Sequence, residues 1–292
     1  MVTIKQAAEL TGVPQSTLRA WERRYDAFRT QRTAGGYRLY DEDAIARIRQ
    51  MQALVSAGLP PRAASAEVAL RRDDLRPGGL PAGAPDPDEL ERLIAALAEM
   101  DAVTVQRLVD GPLALRDFET WVDGWLMPVL QRVGRAWADQ EISVAGEHLM
   151  SHVVMRRLAA AYDAAGAPVG EPPVIVGTPS GVLHDLGLMA FAVCLRRQGA
   201  ATLYLGNDVP PDAWAHALTS TRAVASVTAA YRRADGARVA ALAERLWLDQ
   251  PSARIAVGGS HQRLAPKGCV QLGHSIAMGA LAVVEMVPLP DG

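Results

Sequence analysis

Apolar residues recur at helical spacing in Ile4–Leu10, through Ile4, Ala7, Ala8 and Leu10, and again in Gln15–Arg24. In the second stretch Leu18 and Trp21 share one side, while Gln15, Ser16, Arg19, Arg23 and Arg24 take the other. Thr3 is a cap for the first helix, Thr11-Gly12-Val13 a tight turn, and Pro14 sits near the first turn of the second, where its missing N–H costs little. Thr33–Tyr40 predicts a two-stranded hairpin with Gly35-Gly36 at its tip. Asp41 then caps a longer helix, Glu42–Ala57, stopped by Gly58-Leu59-Pro60-Pro61. Residues 77–88, PGGLPAGAPDPD, hold four prolines and three glycines and predict a linker without helix or strand. Four helical patterns follow: Glu89–Met100, Ala102–Val109, Leu115–Trp137 with a bend near Pro128, and Ser143–Ala165.

From residue 173 the period changes. Short apolar strands at 174–176, Ala201–Leu205, Val224–Thr228 and Arg254–Val257 alternate with helices Leu186–Gln198, Asp212–Ser220 and Arg238–Leu248, and a last strand and helix fall within Val270–Val287. The fold class is therefore multidomain, α and α/β. A winged helix-turn-helix spans 1–76, a linker 77–88, a four-helix bundle 89–168, and a doubly wound parallel sheet of flavodoxin-like type 169–292.

Charge sharpens this division. Residues 1–76 carry 13 Lys+Arg against 9 Asp+Glu, a net of +4, and the remainder 17 against 23, a net of −6. A basic first quarter on an acidic body points to a polyanion at the N-terminus. The two cysteines, Cys194 and Cys269, lack CxxC spacing and read as buried thiols. No apolar run reaches 18 residues and no apolar core follows a basic start, so a cytoplasmic protein without membrane anchoring is expected.

The helix pair alone is an αα-hairpin as readily as a DNA reader. The wider run TIKQAAELTGVPQSTLRAWERRY…RTAGGYRLYDEDAIARI resembles the winged helix-turn-helix of the MerR family over the first quarter of the chain. That family's motif falls on Leu18, Arg19, Trp21 and Glu22, then Gly36, Tyr37, Arg38 and Tyr40. Leu18 and Trp21 are expected in the core. Gln15, Ser16, Arg19, Arg23, Arg38 and Tyr40 are expected at DNA. The resemblance implies dimers on palindromic double-stranded operators. No cysteine stands where metal-sensing members keep theirs, so another effector is implied.

Three tryptophans, Trp121, Trp125 and Trp137, lie in the third bundle helix of a chain with six. Trp121 and Trp125 read as bundle core. Trp137 precedes a helix capped by Ser143 and carrying Glu147 and His148. His148 and His152 stand at i and i+4, a spacing compatible with a metal pair but lacking a third ligand for zinc. A lone histidine there is more often a hydrogen-bonded core or surface group. In the α/β segment the first loop, TPSGVLHDLG, has no GxGxxG, which argues against an ordinary dinucleotide site. His184 lies in that loop, where doubly wound sheets place ligands.

The order HxxG (His184 to Gly187), SxT (Ser226 to Thr228) and GG (Gly258-Gly259) resembles the cobalamin-binding domain. There the histidine is implied to replace the cofactor's benzimidazole as the lower ligand of cobalt. The nucleotide tail is implied to thread beside Ser226 and Thr228 toward Gly258 and Gly259, whose missing side chains leave room. The whole chain resembles the CarH/LitR photoreceptors, in which a MerR domain, a bundle and a cobalamin domain occur in this order. Their W-x9-EH signature matches Trp137, Glu147 and His148, over the cofactor's upper face. The resemblance implies adenosylcobalamin, a homo-oligomer (dimer or tetramer) that represses in darkness, and release from DNA after photolysis. It implies no catalytic residues and no enzyme activity.

Two positions depart from the family pattern. Val182 replaces an acidic residue two before the histidine, and Ala138 replaces a histidine directly after the signature tryptophan. Unless His148 or His152 substitutes, the illuminated protein is expected to lack a two-histidine cobalt. The departures keep open a regulator that senses cobalamin without light, or works without cobalamin. A corrinoid carrier of a methyltransferase or mutase uses the same bundle and sheet, but the winged helix argues against it.

Overall fold

The computed structural model describes residues 2–25, 31–32, 38–40, 42–56, 61–62, 64–65, 83–166, 168 and 170–287. At the N-terminus, α1 (Ile4–Thr11) opens with a capping box between Thr3 and Gln6 and closes at Gly12, whose φ of 72° is the left-handed conformation glycine allows. Then come α2 (Gln15–Tyr25), β2 (Gln31–Arg32), β3 (Arg38–Tyr40) and α3 (Glu42–Ser56). The wing's two strands pair antiparallel, Arg32 opposite Arg38. Residues 33–37, with the expected tip at Gly35-Gly36, lie outside the described residues, as do the Asp41 cap and residues 57–60. A third strand, β1 (Val2–Thr3), pairs with β3 and makes it central, which the sequence pattern had not indicated.

Of the expected linker, residues 77–82 lie outside the described part. Its last residues are helical: α4 (Pro87–Ala98) starts inside it, capped by Asp86 with Pro87 in the first turn. The proline that argues against a helix interior is favoured at a helix start, where no N–H partner is needed. The bundle continues with α5 (Ala102–Leu115), α6 (Phe118–Thr120), a π-helical stretch Trp121–Leu126, α7 (Met127–Ala138) and α8 (Val144–Ala164). Where a bend was expected near Pro128, the helix is π-wound just before it, over Trp121–Leu126. Pro128 has no N–H to give the carbonyl of Gly124, and the widened turn absorbs the loss. Trp121 and Trp125 are buried in the bundle core and stacked at 6.0 Å between ring centroids.

The C-terminal part holds β4 (Val174–Pro179), α9 (Leu186–Arg197), β5 (Thr202–Val209), α10 (Pro211–Ser220), β6 (Ala225–Ala229), α11 (Asp235–Asp249), β7 (Ile255–Gly258), β8 (Val270–Gln271) and α12 (Ile276–Met286). The strands form one parallel sheet in the order β5-β4-β6-β7-β8, the flavodoxin-like winding, whose order reverses between β4 and β6. Eight consecutive residues of α9, Leu188 to Leu195, are buried because the helix lies between the sheet and α8 of the bundle. This explains its unbroken apolar sequence. Cys194 is buried there, its thiol pushed far up by burial, while Cys269 is half-buried and pushed up to about 11.

One hydrophobic core runs through bundle and sheet. Asp123, in the π stretch, accepts hydrogen bonds from Ser275 Oγ at 2.7 Å and from the N–H groups of Ile276 at 2.7 Å and Ala277 at 3.1 Å, so the bundle caps α12. Glu119 accepts from Arg197 of α9 at 2.8 and 3.2 Å. On another face of α12, Ala282 joins the winged-helix core, and Glu285 lies 3.4 Å from Arg62. Among the described residues no helix is long and apolar enough to cross a membrane.

Candidate functional site

In the winged helix, Gln15, Ser16, Arg19 and Arg23 of α2 are exposed, and Leu18 and Trp21 are buried. Arg38 is half-buried, its Nε donating to Glu22 at 2.6 Å. Tyr40 corrects the expectation of a DNA contact: it is 0 % exposed and belongs to the core with Leu18, Trp21 and Ile48. Its ring packs into that core, and burial raises its hydroxyl pKa.

At the sheet's switch point, His184 follows β4 on an exposed loop, and its ring meets Tyr231 edge-on at 6.0 Å. Tyr231 comes just after β6, so two strand ends on either side of the reversal converge, as ligand sites in such sheets do. Burial raises the Tyr231 hydroxyl pKa, and Asp235 at the start of α11 accepts from its backbone N–H at 3.1 Å. Gly187 lies in the first turn of α9. A Cβ there would stand 3.5 Å from the Tyr231 hydroxyl and 3.8 Å from Cε of Met127, which brings the bundle to the same place.

Ser226 and Thr228, two apart on β6, are each 1 % exposed. Neither hydroxyl has a hydrogen-bond partner among the described residues. Such groups cost free energy unless something else satisfies them. The two glycines after β7 differ. A Cβ on Gly258 would meet only Leu272, at 3.9 Å, whereas one on Gly259 would fall 2.5 Å from the Ala230 carbonyl oxygen, at a φ of 85°. Gly258 leaves space beside the site. Gly259, expected to do the same, instead allows the loop to cross β6.

Trp137 ends α7 at 47 % exposure, beside a groove of about 690 Å³ that Ala138, Gln140, Ile142 and Val144 also line. Glu147 in the first turn of α8 accepts from Ser151 at 2.8 Å and stands 2.9 Å from His148 Nδ1. His148 is exposed, and its ring lies 6.4 Å from that of His152. No group of three or more His, Cys, Asp or Glu gathers for a metal among the described residues. A corrin needs only one protein ligand below its cobalt. Open Gly258 and the two unpartnered buried hydroxyls on the neighbouring strand leave space and polar donors suited to a large ligand with a polar tail more than to a bare ion.

Val182, in place of the family's acidic residue, is 2 % exposed, and its carbonyl accepts from the Thr178 hydroxyl at 2.6 Å. The carboxylate near the histidine belongs instead to Asp185. It accepts from Asn207 Nδ2 at 3.1 Å and the Tyr204 hydroxyl at 3.4 Å, and burial raises its pKa. Of these, Asp185 was not singled out in the sequence, although it directly follows the histidine. Asn207, Tyr231 and Met127 carried no signal, since only the tertiary fold brings them there.

Comparison with known proteins covers the winged helix and the bundle by family models, neither of which extends over the sheet. Residues 2–69 match the model of the MerR HTH family regulatory protein, and residues 89–162 match that of the B12 binding domain. The chain is 32% identical over 222 residues to the HTH-type transcriptional repressor CarA of Myxococcus xanthus, covering 75% of this chain and 73% of the relative. It is 32% identical over 232 residues to CarH of the same organism, covering 75% of each. The monomethylamine corrinoid protein of Methanosarcina barkeri superposes with a TM-score of 0.54 at 17% identity, over 70% of this chain and 100% of that one, which shows a shared fold. The chain therefore belongs to the CarH-type family of MerR regulators and is a cobalamin-binding transcriptional regulator, not an enzyme.

Proposed function

We propose that the protein is a light-responsive repressor that holds adenosylcobalamin between bundle and sheet. In darkness it would sit as a homo-oligomer on double-stranded operator DNA in the cytoplasm. The observation that supports this most is the pair of buried, unpartnered hydroxyls on Ser226 and Thr228, on the strand that pairs with β4, which leads into the His184 loop. His184 is assigned as the lower ligand of cobalt. Ser226 and Thr228 would donate to the nucleotide tail, Gly258 would give it space, and Gly187 would keep the loop close to Tyr231. Trp137, Glu147 and His148 would meet the group from the bundle side. Bound there, adenosylcobalamin supplies a cobalt–carbon bond that light breaks. The chain orients the group, excludes water and transmits its state through the bundle. Gln15, Ser16, Arg19, Arg23 and Arg38 are the proposed DNA contacts, Arg38 after leaving Glu22 or while sharing it. The names of CarA and CarH, both transcriptional repressors, support repression.

The test is binding of a palindromic promoter fragment at several salt concentrations, in darkness with adenosylcobalamin and after illumination. Steep salt dependence, weakening in light, and loss of affinity in Arg19→Ala without loss of cofactor are expected. Equal affinity in light and darkness would contradict light sensing. Ala138 on the wall of the Trp137 groove favours a second reading, a cobalamin sensor indifferent to light. That reading predicts DNA binding that follows cobalamin and ignores illumination.

A further inference from the structure

Among the described residues, no side chain of the loop hydrogen-bonds the His184 imidazole, and its two preceding residues, buried Val182 and exposed Leu183, are apolar. The grip comes from the end of β5. Asn207 donates through Nδ2 to the Leu183 carbonyl at 3.2 Å and to Asp185 Oδ2 at 3.1 Å, so one carboxamide spans the residues before and after His184. Its neighbour Asp208 accepts from the Gly181 N–H at 2.7 Å and donates its own N–H to the Val182 carbonyl at 3.3 Å. Residues 181–185 thus hang from two adjacent side chains and one backbone group of β5.

Two further features point the same way. Asp185 holds the N-cap position of α9 but makes no capping hydrogen bond. An aspartate there ordinarily accepts from the first turn of its helix. Here its carboxylate turns to Asn207 and Tyr204. The end of β5 is also irregular: its pairing with β4 shifts register twice after Val176, and Gly206 and Asp208 have φ of 82° and 56°. Such an irregularity re-aims side chains near functional sites.

We infer that Asn207 is a positioning residue for His184, fixing the loop on both sides of the imidazole so that it meets a ligand already oriented. This rests on the reading of His184 as the lower ligand. A backbone fixed in advance loses less entropy on binding, and loss of such support around a metal ligand typically weakens affinity about 10- to 100-fold.

The test compares the full-length protein with Asn207→Asp, which keeps size but cannot donate, and with Asn207→Ala and His184→Ala. Each is titrated in darkness with adenosylcobalamin, and its absorbance read for histidine-ligated cobalt. Both Asn207 variants should bind about 10-fold more weakly, with spectra part-way toward that of His184→Ala and unchanged melting temperature. In the cofactor-free proteins, amide hydrogen exchange over residues 180–186 should quicken while the bundle stays as protected as before. Unchanged exchange in both variants, or a wild-type-like spectrum and affinity in Asn207→Asp, overturns the role. A wild-type spectrum identical to that of His184→Ala overturns the ligand assignment, and the exchange data still decide the clamp, so the two failures are told apart.

Discussion

Ser226 and Thr228 place hydroxyls where no described residue answers them, and this sets up an unusual pair of opposed effects. A buried unpaired hydroxyl costs about 1–3 kcal/mol. Ser226→Ala and Thr228→Val should therefore leave the cofactor-free protein as stable as before or more so, judged by its denaturant midpoint. The same variants should bind cobalamin about 5- to 10-fold more weakly, the worth of roughly one hydrogen bond. Lower stability with unchanged binding would make the hydroxyls structural. The adjacent glycines give a second contrast. Gly259→Ala puts a Cβ 2.5 Å from the Ala230 oxygen at a positive φ and should cost about 2 kcal/mol or more. Gly258→Ala, with only Leu272 in reach, should fold normally and lose cofactor affinity. Melting and titration of the two separate the roles. At this scale the sequence marks His184, Ser226, Thr228 and the glycine pair through spacing and order. It does not separate Gly258 from Gly259, because that depends on where the Ala230 carbonyl lies. Tyr40 shows the same limit: the motif names the residue, but its ring packs with Leu18, Trp21 and Ile48, which only the tertiary fold brings to it.

The π stretch joins bundle to sheet through Asp123, which accepts from the Ser275 hydroxyl and from the N–H groups of Ile276 and Ala277, 152 to 154 residues away in sequence. Charged hydrogen bonds to helix-terminal donors are worth about 1.5–3 kcal/mol together with the cap. Asp123→Ala should lower unfolding free energy by about that much, and Asp123→Asn by less. An unchanged denaturant midpoint in Asp123→Ala would show that Ser275, which also caps the Met278 N–H, suffices alone. Within the bundle, Asp110 of α5 pairs through both oxygens with Arg157 of α8, at 2.6 and 2.7 Å, and this holds its carboxyl below the ordinary value of 3.8. A depressed carboxyl stabilises the fold above its unfolded value and loses that contribution as pH falls through the folded one. Both partners are partly exposed, so the pair is worth less than about 1 kcal/mol. Asp110→Asn should lower stability slightly at neutral pH and flatten its decline in acid; an identical decline would contradict the pairing. The bundle helices were legible from apolar period only in part: Leu115, expected to open the third helix, closes α5, and Asp117 caps a new start at α6. Helix α9 was legible despite its uniform burial, because length and flanking turns identify it. The π turn was not, since its geometry answers Pro128 and the distant α12 together.

Across the whole molecule, α12 touches all three parts: the bundle through Asp123, the sheet's α9, and the winged helix through Ala282 and Glu285. Modular order was plain in the sequence because period, charge and proline content change at each junction. The contacts among modules were not, since they come from single residues on otherwise ordinary helices. A change in how the bundle sits has, in this arrangement, a short structural route to the DNA-binding part. The most direct test of the account is size-exclusion chromatography with absorbance, on full-length protein given adenosylcobalamin in darkness and run again after green light. The account predicts a coloured assembly larger than a monomer that becomes smaller on illumination. A protein that stays colourless, or a coloured one whose size ignores light, would contradict it.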